Sequence, residues 1–111
     1  MENVSFSDFQ RMDIRMGKIV EAEKAPGTDK LVRLQVDIGS EKRQIVASIA
    51  EFYEPGSLVG KQCPFLVNLE PKSFMGHESR GMLLAVDVEG DRSDCILLHP
   101  NKEAKAGAKV V

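Results

Sequence analysis

Val32-Arg33-Leu34-Gln35-Val36-Asp37-Ile38, the polar turn Gly39-Ser40-Glu41-Lys42 and then Arg43-Gln44-Ile45-Val46-Ala47-Ser48-Ile49-Ala50 form the stretch whose reading decides the fold. Side chains of a strand alternate between faces, so Val32, Leu34, Val36 and Ile38 share one face and Arg33, Gln35 and Asp37 the other. The turn returns the chain, and Arg43 to Ala50 reads as a strand antiparallel to the first. Upstream, Met12, Ile14 and Met16 alternate with Asp13 and Arg15 until Gly17 interrupts them before Lys18 to Glu23. This predicts one long strand, bent or bulged at Gly17, joined to the next by the turn residues Pro26-Gly27-Thr28-Asp29. Together these strands make a meander.

Downstream, Glu51 to Gly60 is broken by Pro55 and Gly56 and predicts a turn of helix within a connector. Gln62 to Leu69 reads as a fourth strand, with Pro64 placing that end at an edge or bulge, and Gly81 to Asp87 as a fifth. Between them, Glu70 to Arg80 is long for a simple hairpin and reads as a loop of the kind that carries function. A last apolar run, Cys95 to Leu98, and a tail ending Val110-Val111 complete the chain. The fold class is therefore all-β: a five-stranded barrel of the OB type, with a short helical connector and a C-terminal strand extension.

Composition sets the outer bounds. The 111 residues, 42% hydrophobic and 29% charged, suit one domain spanning 1–111. Fifteen Lys and Arg against seventeen Asp and Glu give a net charge of -2, so a nucleic-acid site must be a local patch. Cys63 and Cys95 stand alone, without CxxC or companion histidines, and read as free buried thiols rather than disulfide or zinc ligands. No apolar run approaches membrane-spanning length and no secretory signal opens the chain, which predicts a soluble protein of the reducing cytoplasm.

Catalytic patterns are weak. Gly76-His77-Glu78-Ser79-Arg80-Gly81 brings a His, an acid and a Ser together only as sequence neighbours, which is not the spatial convergence of a triad, and His77 reads better as a contact or loop-shaping residue. Phosphate-cradling glycine motifs are absent, so the expectation is no enzyme and no cofactor or metal. The basic residues say more when sorted by element. Lys30 opens strand two, Arg33 lies on its polar face, Lys42 and Arg43 flank the turn, and Lys72 and Arg80 bracket the long loop. A closed OB barrel is expected to bring these six together where such barrels bind oligonucleotides, although solvated surface is the commoner fate of such residues. Phe6, Phe9, Phe52 and Phe65 sit where burial is expected, which leaves Phe74 and Tyr53 for stacking. So few free rings suit recognition of RNA shape and backbone better than of sequence.

The order of motifs carries further. Phe9-x-x-Met12-Asp13-Ile14-Arg15-Met16-Gly17-Lys18-Ile19-Val20, Gly27-Thr28-Asp29-Lys30-Leu31, Val36-Asp37-Ile38-Gly39, Arg43 to Ala50, Leu58-Val59-Gly60-Lys61 and Asn68-Leu69-Glu70-Pro71-Lys72-x-x-Met75-Gly76-x-x-Ser79-x-Gly81-Met82 run in order along the chain. This series resembles the tRNA-binding domain family, which includes the C-terminal domain of methionyl-tRNA synthetase, its separately encoded β subunit and stand-alone tRNA-binding proteins. The resemblance implies an OB barrel that holds the outside corner of tRNA by shape and backbone and delivers it in trans to a synthetase, with methionyl-tRNA synthetase as the expected partner.

By the same resemblance, Lys30, Arg43, Asn68, Lys72, Met75 and Ser79 form the binding surface, with Met82 following. Lys30, Arg43 and Lys72 would meet phosphates, Asn68 and Ser79 would bond phosphate or 2′-hydroxyl, and Met75 would lie under a base or sugar. Asn68 bonding only the loop backbone, and Met75 and Met82 plugging the barrel, are the alternatives. With Arg33, Lys42 and Arg80 from the polar-face argument, these make up the candidate RNA-binding set. Ser48 stands where family members more often have Gly, and the tail Lys105-Ala106-Gly107-Ala108-Lys109 replaces a Pro-Gly pair. The resemblance also implies a homodimer through the C-terminal strands. A protein-interaction or chaperone-like module on the same barrel is the competing function.

Overall fold

The computed structural model describes residues 1–91 and 93–111. In chain order its elements are α1 (Phe6–Gln10), β1 (Ile14–Lys24), β2 (Val32–Asp37), β3 (Lys42–Ala47), a 3-10 turn (Pro55–Leu58), β4 (Gln62–Leu66), β5 (Lys72–Phe74), β6 (His77–Ser79), β7 (Met82–Leu83), β8 (Ala85–Asp87) and β9 (Cys95–Leu97). Five of them make an antiparallel sheet in the order β3-β2-β1-β4-β7. It curls until β7 approaches β3, which nearly closes the expected OB-like barrel. The predicted face of β2 fills the barrel: Val32, Leu34, Val36 and Ile38 pack with Ile19, Ile45, Leu58, Cys63 and Phe65. Burial of this apolar surface is the main force holding the barrel.

The bend in β1 is not at Gly17. The β1–β2 register shifts between Ile19 and Glu21, so the bulge lies there, and it lets β1 pair with β4 over Ile14 to Lys18 and with β2 from Lys18 onward. Gly17 answers a different need. A Cβ at this position would lie 2.5 Å from Val36 Cγ1 and 2.8 Å from Phe65 Cδ2, so only glycine lets β1 pass this close over the core.

Three further expectations are corrected. Phe6 and Phe9 are exposed rather than buried: α1, capped by the Ser5 hydroxyl, buries nothing on the barrel, and the two rings pack on each other at 6.4 Å. The 70–80 loop is a β-hairpin, β5 paired with β6 through a two-residue turn at Met75 and Gly76, both with positive φ. The fifth strand is split: β7 stays with β4, Leu84 N–H donates to the Pro64 carbonyl, and β8 leaves to pair with β9.

The tail runs back along its own barrel. Where β1 extends beyond the end of β2, Met16 N–H donates to Ala108 O, Gly107 N–H to Met16 O, and Val110 N–H to Ile14 O. Arg15 adds a side-chain bond to the Gly107 carbonyl. Neither cysteine is in a disulfide. Burial pushes the thiol of Cys63 up to about 11, partly offset by Lys61, while Cys95 is half-buried. No helix among the described residues is long and apolar enough to cross a membrane.

Candidate nucleic-acid interface

The hairpin is tied to β3 by side-chain and backbone bonds. Gln44 Nε2 donates to Glu78 O, Arg80 N–H donates to Gln44 O, and Val46 N–H donates to the Ser79 hydroxyl. The guanidinium of Arg33 can only donate, so the Nδ1 it meets on His77 is the acceptor, and Nε2–H donates to the Pro26 carbonyl at 2.9 Å. His77 thus ties the hairpin to the β1–β2 turn, in keeping with a loop-shaping role.

A cleft of about 470 Å³ opens between this hairpin, β3 and β7. Val46, Ser48, Phe52, Lys72, Phe74 and Met82 are among the residues that line it, with Glu70, Asp87 and Asp94 also contributing. Lys72, Phe74, Met75 and Met82 are all exposed, and Met75 at the hairpin tip is 74% accessible. Met75 also holds φ at +52°, a region that side chains with a Cβ rarely adopt, so the fold keeps this thioether outward at a conformational cost. Ser48, one of the two departures from the family pattern, is an exposed lining residue.

The other predicted residues have internal tasks. Ser79, in the wall of the cleft, is 3% exposed; its hydroxyl accepts from Val46 N–H and donates to Gly81 O, tying β6 to β3. Asn68 uses both ends of its amide on backbone, accepting from Asp13 N–H and donating to Arg11 O, which fixes the junction of α1 and β1. Tyr53, expected as a stacking ring, donates its hydroxyl proton to Cys95 O and accepts from Leu97 N–H, and so anchors β9.

Nor do the six cations converge. Lys42 lies five residues along β3 from Ala47, about 17 Å from the cleft end of that strand. Arg43 pairs with Glu41 and donates to Val67 O, Arg80 also reaches Glu41, Arg33 pairs with Glu23, and Lys30 lies 3.9 Å from Glu51. Glu41 is held below the usual carboxylate range, first by its hydrogen bond from Arg43, then by the charges of Arg43 and Arg80. Lys72 alone among the six combines a place at the cleft with no carboxylate within ion-pair distance, counted among the described residues.

Sequence reasoning missed Gln44, whose side-chain amide helps to hold the hairpin. Gln44 sits on the outward face of β3, and an outward polar side chain gives no sign of the distant segment it will bond. Among the described residues no group of three or more His, Cys, Asp or Glu is placed to hold a metal.

Comparison with known proteins points the same way as the motif order. A family model described as "Putative tRNA binding domain" matches residues 14–109. The methionine–tRNA ligase of Methanothrix thermoacetophila is 52% identical over 107 residues, which is 96% of this chain but 15% of that protein; the one from Thermotoga maritima is 50% identical, with 96% and 16% covered. Among solved structures, a MetRS-related protein from Pyrococcus horikoshii superposes with a TM-score of 0.93 at 39% identity, both chains being covered in full. The chaperone CsaA from Bacillus anthracis str. Ames superposes with a TM-score of 0.89 at 32% identity, over 99% of this chain and 100% of that one. Since the family model takes in the whole barrel and its returning tail, the chain belongs to the tRNA-binding domain family.

Proposed function

We propose that this chain holds tRNA by shape and backbone at the β5–β6 hairpin and its cleft, and acts in trans to present that tRNA to a methionyl-tRNA synthetase. The observation that carries the reading is the family match over 14–109 together with what the fold leaves outward on the hairpin and on β7 beside it: Lys72 for phosphate, and Phe74, Met75 and Met82 for a sugar or base face. The role is binding, since the family is one of RNA-binding and not catalytic domains. Lys30, Arg33, Arg43 and Arg80 lie outside the cleft lining, each within ion-pair distance of a carboxylate. Their partners hold them in place, and the side chains of Arg33 and Arg43 are only 27% and 20% exposed.

Self-association through the β8–β9 ribbon belongs to this reading. Val86 faces Ile96 across the ribbon, and Val88 and Leu98 follow two residues on, all four exposed. A second copy would cover this strip and present two RNA sites in one particle.

The likeness to CsaA, with the apolar part of the cleft and its acids Glu70, Asp87 and Asp94, supports a second reading, an extended basic and apolar peptide as ligand. Binding of unfractionated tRNA, of duplex DNA of similar length and of an unfolded polypeptide, each over a salt series, separates the two. Under the first reading tRNA is preferred, log K falls linearly with log salt, and Lys72→Glu weakens binding at least several-fold. A salt-tolerant preference for the polypeptide, indifferent to Lys72, would establish the second reading instead.

A further inference from the structure

Beyond the far end of the hairpin face lies a second set of cations. Directly opposed residues on antiparallel strands share a face, and the registers place Lys42, Asp37, Lys18 and Gln62 in one row across β3, β2, β1 and β4. Gly17 and Ile19 on either side of Lys18 are buried, so Lys18 points out of the barrel. Past Gln62, Lys61 and the 99–103 segment complete the wall of a cleft of about 300 Å³, lined by Lys18, Lys61, Gln62, His99, Lys102 and Glu103 among others.

The walls are built rather than accidental. The Gln62 side-chain amide donates to Ala104 O and accepts from Ala104 N–H. His99 Nδ1 lies 2.8 Å from Gln62 O, and since a carbonyl only accepts, Nδ1 carries the proton. Ile19 N–H donates to Lys61 O and Gly60 N–H to Ile19 O, which fixes the backbone under Lys61.

Lys18, Lys61 and Lys102 are exposed, and among the described residues none has a carboxylate within 4 Å. The acids nearby are Glu103 in the lining and Asp37, which already accepts from Gly39 N–H. Three ammonium groups against the one carboxylate of Glu103 leave the lining with a net positive charge, which a bound anion would offset. An ammonium meets phosphate as a point charge, and this lining contains no Phe or Tyr on which a base could stack.

We propose that this cleft takes phosphates of the RNA backbone, as a second contact made by the same RNA that engages the hairpin. The proposal rests on the tRNA reading above and extends it along the outer row of the sheet. A barrel gripping RNA at two separated points reads the distance between phosphates, and so shape, without reading bases.

The test compares the full chain with Lys18→Gln/Lys61→Gln and with a charge-matched control, Arg11→Gln/Lys24→Gln, in a salt series with unfractionated tRNA. Circular dichroism and the denaturation midpoint check that each is folded. Each phosphate contact contributes about 0.7–0.9 to the slope of log K against log salt, so the cleft variant should lose about 1.4–1.8 from that slope while the control keeps the parent's. Adding Lys72→Gln to the cleft variant should remove a further increment of about 0.7–0.9 if hairpin and cleft contact separate phosphates. A parental slope and affinity in the cleft variant, or an equal loss in the control, overturns the second contact and leaves the tRNA reading in place. A parent that binds no tRNA at all overturns both.

Discussion

Arg15, Arg33, Arg43 and Arg80 each meet a carboxylate, and Arg15, Arg33 and Arg43 bond a second group besides, whereas Lys18, Lys61, Lys72 and Lys102 have no such partner among the described residues. The contrast follows from the chemistry of the two side chains. A guanidinium offers five donors in a planar fork and can serve two acceptors at once, which suits it to joining elements of a fold. An ammonium is a compact, strongly hydrated charge on a flexible stem, more easily left in solvent to meet a mobile anion. In this barrel the arginines hold the seams: Arg15 the tail, Arg43 the β3 end against residue 67, and Arg33 the hairpin through His77. Lys24 and Lys30 meet Asp29 and Glu51, and Lys18, Lys61, Lys72 and Lys102 stay open to solvent. On a chain of net charge -2 a polyanion is attracted only where cations are not already neutralised by the chain's own acids.

The division is broken most directly at Arg43. Arg43→Gln removes a charged hydrogen bond to Val67 O and the pair with Glu41 at a half-buried site, and should cost about 1.5–3 kcal/mol in chemical denaturation. Its tRNA affinity, measured under conditions where the variant is folded, should change less than that of Lys72→Gln. If Arg43→Gln instead kept its stability and lost RNA, the arginine would belong with the ligand. Ser79→Ala tests the same division for a neutral group. It leaves Val46 N–H buried without its acceptor, for an expected loss of about 1–2 kcal/mol, and a fully stable variant with weakened RNA binding would return Ser79 to the RNA surface.

What was legible in the sequence divides along similar lines. The alternation of Val32, Leu34, Val36 and Ile38 fixed β2 and its buried face because one side of that strand is dry and the other wet. The hairpin had no such contrast. Lys72, Ser73 and Phe74 are all exposed, so no period-two signal marks β5, and a turn at Met75-Gly76 lacks the Asn or Asp that usually announces one. Gly17 looked like a bend because glycine often marks one. The crowding of Val36 and Phe65 that requires it involves residues far away in the chain. Of the candidate site, Lys72, Met75 and Met82 were found through the order of motifs. That order could not show that Glu23, Glu41 and Glu51 partner the remaining cations, nor that the register would set Lys18 beside Gln62.

Met75 sharpens the comparison because it separates stability from binding within one residue. Asn tolerates the left-handed region better than Met, so Met75→Asn should leave stability unchanged or raise it by up to about 1 kcal/mol. The same change removes the exposed thioether from the hairpin tip and should weaken tRNA binding by a few-fold. A variant that is both more stable and fully able to bind would mean that the strained tip serves neither purpose.

The smallest effect expected is the acid response of the arginine seam. The folded-state pKa of Glu41 is lowered from its ordinary value of 4.5, with the Arg43 hydrogen bond as the first cause. A depressed carboxylate contributes stability that is fully present above its unfolded pKa and is lost as pH falls through its folded pKa. The contribution of this pair to the denaturation midpoint should therefore be fully present and independent of pH near neutrality, and the midpoint should decline below about pH 4.5 by an increment that Glu41→Gln abolishes. Asp91, also depressed, by its bonds from Ser93, adds a decline over the same acid range, which is why the difference between the parent and Glu41→Gln is the quantity to read. Arg43→Gln should shrink that difference, because it removes the first cause of the shift, and Lys72→Gln should leave it intact. If Lys72→Gln moved it as far as Arg43→Gln, lysine and arginine would share one electrostatic network, and the separation of seam from ligand surface would fail.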